Sequence, residues 1–443
     1  MPKMPLSYSL ILLLILAMAC QILPTPSPPP ATPAEANTPT PTPEPPTPTS
    51  EPTTPTPTPH PPSPTATPTG PPSTEDLAQQ LMEQLYPDAT PEPGNSIGIE
   101  GVNVIPLDVG PAQPPLWAAF SYGLRDFMAE QMHFVAIYAY DGGWQELSKI
   151  EMDDADYIAD SSVQQVLLEP ERIWLELHAG VGAHSGTYHL MRFDDEKLQI
   201  ALSGFNASPG AGQTADLNND GLLEVILNFT DPYVFCYACG VRLPMFQVWR
   251  WDGEQLIEVP LTLLPDSAPA ELREANNQAV ALAEAWLWQE AQAAIAQALA
   301  LDPANETVVW NDILIAMHTE PLVEQIEFES GYPLLANIFY GDYAAALDLM
   351  RPYPVAEIFS PTSPLIVDTV AAGWEPTLHD WIIQAADAAL DVQPDLATAY
   401  FLRAWALYLV NPDDPQILAN LERAIGFDPA EPLYTESLFY LSR

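Results

Sequence analysis

Hydrophobic positions follow four different rhythms along the chain. Residues 10–19 form an unbroken apolar run, and residues 24–73 contain no large apolar side chain. From about residue 96 to 265, apolar and polar positions alternate, which is the period of a half-buried strand. From about Ala268 onward, apolar positions recur every three or four residues, as on one face of a helix. The predicted order is an apolar N-terminal segment, an unstructured spacer, a β region and an α region. One short amphipathic helix, near Thr74 to Tyr86, precedes the strands.

Within the β region three pieces are alike. They are Val135–Trp144 (Val-Ala-Ile-Tyr-Ala-Tyr-Asp-Gly-Gly-Trp), Tyr188–Asp195 (Tyr-His-Leu-Met-Arg-Phe-Asp-Asp) and Phe246–Gly253 (Phe-Gln-Val-Trp-Arg-Trp-Asp-Gly). Each reads as a strand ending in aromatic-Asp, then a turn, then a second strand. Asp-Gly favours a hairpin because both turn positions prefer positive φ. Asp141, Asp194 and Asp252 fall roughly 55 residues apart, the length of a multi-stranded repeat. Three units are too few to close a typical ring, so the region is expected to be propeller-like or an open β assembly.

The apolar run at the N-terminus follows Lys3 and is too short to cross a bilayer as a stable helix, so it reads as an export signal. Ala17-Met-Ala-Cys20 resembles the lipobox of bacterial lipoproteins, with Ala17 standing where Leu is usual. That resemblance implies lipidation of Cys20 and removal of residues 1–19. The Pro- and Thr-rich stretch behind it cannot bury a core. As extended polyproline it would reach roughly 150 Å, at about 3.1 Å per residue. The chain has 3 cysteines. With Cys20 given to lipid, Cys236 and Cys239 remain, spaced Cys-Tyr-Ala-Cys. In an oxidising compartment they are read as a disulfide. No strand-helix pattern of a redox CxxC follows them, and no second pair sits at zinc-ribbon spacing.

The α region has its own resemblance. Ala279, Leu282, Trp288, Ala291, Ile295, Ala298 and Pro303 stand where a tetratricopeptide repeat places small and large packing residues and its terminal proline. Gly341-Asp-Tyr343-Ala-Ala-Ala346 matches the turn between such helices, and Ala404, Leu407, Leu421, Ala424 and Pro429 repeat the pattern. The resemblance implies a stacked helical scaffold that binds proteins on a concave face. Trp286, Trp310 and Trp405 are expected in its core. Carboxylate clamps of the family use Lys, Arg and Asn, and only five arginines serve this half, so that mode of peptide capture is not expected.

Charge narrows the partners. The chain carries 59 Asp plus Glu against 13 Lys plus Arg, a net of −46, and only Glu35, Glu44 and Glu51 lie before Thr74. Such a surface repels nucleic acid and anionic lipid, so no nucleic-acid partner is expected. Asp216-Leu-Asn218-Asn-Asp220-Gly-Leu222-Leu-Glu224 is the best metal motif. Calcium takes several hard oxygens from one tight loop. Asp216, Asn218, Asp220 and Glu224 supply side chains, Leu222 supplies its carbonyl, and Gly221 permits the turn. The loop resembles the calcium loop of FG-GAP repeats, which implies a structural calcium ion. His178, His184 and His189 lack a helical or carboxylate partner pattern, and no metal is assigned to them.

The expected architecture is multidomain. It comprises a leader (1–19), a lipidated Cys20 with a disordered stalk (20–73), a short helix and linker (74–95), an all-β repeat domain (96–265) and an all-α tetratricopeptide-like domain (266–443). No residues read as catalytic. The expected function is non-enzymatic: an extracytoplasmic bacterial lipoprotein, exposed at the cell surface, that binds a protein or glycan partner of the envelope. The alternative is an envelope hydrolase acting on cell wall or external polymer. A solute receptor is disfavoured because no strand-helix alternation builds two α/β lobes.

Overall fold

The computed structural model describes residues 73–85, 98–111, 113–125, 132–329 and 331–443. The expected leader, Cys20 and the stalk as far as residue 72 lie outside them. The described residues belong to one unit, Gly70–Arg443. Helix α1 (Thr74–Leu85) comes first. Eight strands follow: β1 (Gly98–Leu107), β2 (Leu116–Leu124), β3 (His133–Tyr140), β4 (Trp144–Met152), β5 (Tyr157–Val166), β6 (Ile173–Val181), β7 (Ser185–Asp194) and β8 (Lys197–Asn206). They form one antiparallel sheet in the order β4-β3-β2-β5-β6-β7-β8, with β1 also paired to β2.

This sheet curls until its two end strands meet, where Ser148 Oγ on β4 accepts the Leu198 N–H of β8 at 2.9 Å. One face gathers Phe120, Val135, Ile137, Ile158, Leu175, Leu177 and Met191 into a core that spans most of the strands. The other face is covered in two places. Leu77 and Leu81 of α1 pack on Val102, Phe134, Ala136 and Tyr138. A second sheet covers Trp174, Tyr188 and Leu190.

That second sheet has four strands in the order β14-β13-β10-β9: β9 (Gly212–Ala215), β10 (Glu224–Asn228), β13 (Phe246–Trp251) and β14 (Leu256–Glu258). Alternation sorts its residues. Val225, Leu227, Trp249 and Trp251 face the curled sheet, while Ile226 and Val248 face the helices. Between β10 and β13 lies a small ribbon, β11 (Val234–Cys236) with β12 (Val241–Arg242).

The three look-alike sequence pieces are three hairpins, as their turns required. Two of them, β3–β4 and β7–β8, lie in the curled sheet, and the third, β13–β14, lies in the small sheet. The assembly is thus one curled sheet with a second sheet laid against it, and among the described residues the three hairpins do not form separate blades. At the β7–β8 turn Asp195 and Glu196 hold φ of 49° and 59° without glycine. The two paired strands, closing at Asp194↔Lys197, impose that conformation.

The helices follow as α2 (Ala270–Glu284), α3 (Trp288–Leu301), α4 (Glu306–Glu324), α5 (Pro333–Tyr340), α6 (Tyr343–Met350), α7 (Val355–Ile358), α8 (Glu375–Val392), α9 (Ala397–Val410), α10 (Pro415–Phe427) and α11 (Pro432–Leu441). Small residues sit where helices approach most closely. Ala279, Ala291, Ala298, Ala404 and Ala424 are fully buried, beside Leu282, Trp288, Ile295 and Leu421. Gly341 turns α5 into α6 with φ of 87°, and a Cβ there would lie 2.7 Å from Leu287 Cα. Only glycine satisfies both demands. Trp405 is fully buried and Trp310 nearly so, as expected, whereas Trp286 is half-buried.

The β and α regions share core. Trp310 and Leu314 of α4 pack under Ile226 and Val248. Buried Asn311 accepts the Thr262 N–H at 2.8 Å and donates to the Thr262 carbonyl at 2.7 Å. The segment leaving the small sheet is thereby tied to the helices. Among the described residues no helix is long and apolar enough to cross a membrane.

Candidate functional site

The acidic loop joins β9 to β10 and is held by its own side chains. Asp216 accepts the N–H groups of Asp220 (3.1 Å) and Gly221 (3.0 Å). Asp220 accepts the Leu222 N–H at 2.8 Å, and Glu224 accepts the Leu217 N–H at 2.9 Å. Asn219 (φ 61°) and Gly221 (φ 89°) supply the reversals. Glu224 is 3% exposed. Burial raises its pKa above the ordinary carboxylate value, and the negative charges of Asp220 and Asp216 add to the rise. The Asn218 amide donates to Asp220 at 2.9 Å, bridging part of that repulsion.

The donor set therefore suits a hard divalent cation in chemistry: three carboxylates, an amide and the Leu222 carbonyl, with Glu224 short of a countercharge. The arrangement itself is self-satisfied. Asn218 Oδ1 is engaged by the Asp220 N–H at 2.9 Å. Among the described residues no three His, Cys, Asp or Glu side chains form a metal-holding group.

Cys236 and Cys239 bracket the turn between β11 and β12, and both are half-buried thiols. The Cys239 N–H points at Cys236 Sγ, 3.1 Å away. Burial, with Cys236 alongside, pushes the Cys239 thiol up to about 12. That is the opposite of the lowered pKa that activates a redox cysteine.

The three histidines are separated by strand pleating. His178 pairs with Tyr188 on one face of the β6–β7 ladder, and His189 pairs with Leu177 on the other. His184 is exposed in the intervening turn. His178 instead meets buried Glu176 at 3.5 Å. Glu176 also accepts from Tyr188 (3.2 Å) and Thr214 (3.0 Å). His189 lies in a chain that the sequence does not announce. Its Nδ1 is 2.8 Å from Ser203 Oγ and its Nε2 is 3.2 Å from Asp154. Contact with the His189 ring holds the Asp154 carboxyl below its usual range.

A second feature missed at the sequence level is a cleft of about 750 Å³ between the curled sheet and the small one. Trp174 on β6 and Trp251 on β13 meet edge to face, with centroids 5.3 Å apart. The Arg192 guanidinium on β7 lies over both rings, 5.5 Å from Trp174 and 4.7 Å from Trp251. Asp194 anchors it at 3.1 Å. Trp249, Gln199, Glu254 and Gln255 complete the walls. The indole N–H groups of Trp174, Trp249 and Trp251, and Arg192 Nε, have no acceptor among the described residues. The aromatic alternation Trp249-Arg-Trp251 was the available signal, because it places two indoles on one strand face.

The acidic loop borders this region. Asn218, Asp220 and Glu224 share a smaller cleft with Arg250, Trp251 and Asp252, so Trp251 stands between the two. Neither a protein-family model nor a curated protein matches the chain.

Proposed function

We propose that the chain is a non-enzymatic binding module of the bacterial cell surface, lipid-anchored through Cys20 and raised on its Pro/Thr stalk. The observation that carries the binding role is the Trp174–Trp251 cleft, a concave site with aromatic walls and a polar rim. Ligand sites are of this kind: mainly apolar walls with a few placed polar groups. The paired helices extend the same body as a scaffold akin to tetratricopeptide repeats, with a protein of the envelope as a second partner class. A calcium ion on Asp216, Asn218, Asp220, Leu222 and Glu224 would stiffen the loop beside the cleft. A Cys236–Cys239 disulfide would lock the β11–β12 turn.

The anchor is tested by Cys20→Ser. The variant is expected in the soluble fraction while the parent sediments with membranes, and a variant that stays with membranes refutes lipid anchoring. The binding role is tested by immobilising the full chain in detergent and passing envelope extract over it. Retention of a protein or glycan is expected, and retention of neither refutes the role.

One observation favours hydrolysis as a second reading: the Ser203–His189–Asp154 chain has a nucleophile, a base and an orienting carboxylate within reach. Ser203 and His189 are direct cross-strand partners, and none of the three residues borders either cleft described above. A ladder contact accounts for the geometry. Covalent labelling of the full chain by a fluorophosphonate, lost in Ser203→Ala, would favour the hydrolase.

A further inference from the structure

We infer that the cleft between the two sheets binds a neutral oligosaccharide. This inference rests on the binding-module reading and names the ligand class of that site. The cavity, about 750 Å³, lies within the usual range for a small ligand, roughly 300–1,000 Å³. Residues that line it carry buried donors that the protein leaves unmatched. Trp174 is fully buried, and its indole N–H has no acceptor among the described residues. The same holds for the N–H groups of Trp249 and Trp251 and for Arg192 Nε. Buried donors are normally satisfied, and four unmatched ones around a single cleft point to a ligand rich in acceptors.

The rim supplies the complementary half. Asp195, Gln199, Glu254 and Gln255 bring carboxylate and amide oxygens to the same opening. A hydroxyl group donates once and accepts twice, so a polyol answers both sets at once. The tryptophans give the cleft an apolar wall for the C–H faces of a sugar ring.

Charge decides against anionic ligands. The rim carries Asp194, Asp195 and Glu254 against Arg192 and Lys197, and Arg192 is already paired with Asp194. The whole chain stands at −46. An acidic glycan or a phosphate would approach against that field. A purely apolar ligand would leave the four donors and the rim oxygens unanswered.

The test uses the full chain in detergent, titrated with cellohexaose, maltohexaose and chitohexaose. Binding is read by tryptophan fluorescence and calorimetry. At least one of these neutral sugars is expected to bind, and Trp251→Ala should weaken binding about tenfold or more. Trp374→Ala, a change at an exposed tryptophan outside the cleft, should leave binding unaltered. If Trp251→Ala does not fold, the rim double variant Glu254→Ala/Gln255→Ala must show the loss instead. No heat or fluorescence change with any of the three sugars on folded protein overturns the inference. So does binding that survives the cleft variants. So does binding in the cleft of a Pro/Thr peptide copied from residues 36–60 in place of a sugar. If sugars fail while the immobilised chain still retains an envelope protein, the glycan cleft is refuted and the binding-module reading stands.

Discussion

Glu224 is nearly fully buried, and Asp216 and Asp220 both push its pKa upward. A carboxyl whose folded pKa lies above its unfolded value binds its proton more readily in the folded state. Stability therefore falls as pH rises from the ordinary value of 4.5 through the raised one. Without added calcium, Glu224→Gln should raise the melting midpoint at pH 7 and flatten this fall. On the order of 1 mM calcium should raise the midpoint of the parent and leave Asp220→Ala unmoved. A parent midpoint indifferent to both calcium and chelator, with Asp220→Ala equally indifferent, would remove calcium from the account. The members of this loop were legible because all lie within nine consecutive residues. The partners of His189 were not: Asp154 lies 35 residues before it and Ser203 lies 14 after it. Strand register alone brings them together.

Helix α4 meets the small sheet through His318, which is buried and stacked on Trp288 at 4.6 Å with rings 3° from parallel. His318 Nδ1 donates to the Leu314 carbonyl at 2.7 Å, and Nε2 accepts the Phe246 N–H of β13 at 3.4 Å. Both nitrogens are thus used by the neutral ring. Burial lowers the His318 pKa below its ordinary 6.5. The unfolded chain accepts the proton that the folded chain resists, so stability is full above that value and declines as pH falls below it. His133, also buried with a lowered pKa, contributes with the same sign. Melting curves between pH 7.5 and 5 should show this decline, and His318→Gln should make it shallower. An unchanged slope would mean that the contact does not titrate. The α5–α6 turn gives an element-level test of packing. Gly341→Ala forces a Cβ against Leu287 Cα, and denaturant melts should show a loss of about 1–3 kcal/mol. The helices and hairpins were legible because apolar spacing and Asp-Gly turns are local signals. The β11–β12 ribbon was not resolved as a separate element, because a strand of two or three residues has too few positions for alternation to register.

At the scale of the molecule, β and α regions rest on common core. Trp310 of α4 is 6% exposed beneath Ile226 and Val248, with Arg250 of β13 over its ring at 5.6 Å. Trp310→Ala should cost about 3–5 kcal/mol. Strand and helix signals should shift together in circular dichroism melts. Separate transitions would show that the two regions unfold independently. The sequence by itself determined the order of regions, the hairpin turns, the helix-packing alanines and the acidity, since each depends on neighbours close along the chain. Only tertiary structure decided that the β units form one curled sheet with a second laid against it. It alone also decided that Trp174, Arg192 and Trp251 share a cleft. Trp174 and Trp251 come from different sheets, and their meeting depends on how two apolar faces cover each other. Many alternating sequences would satisfy that long-range burial equally well, so alternation could name the faces but not what covered them.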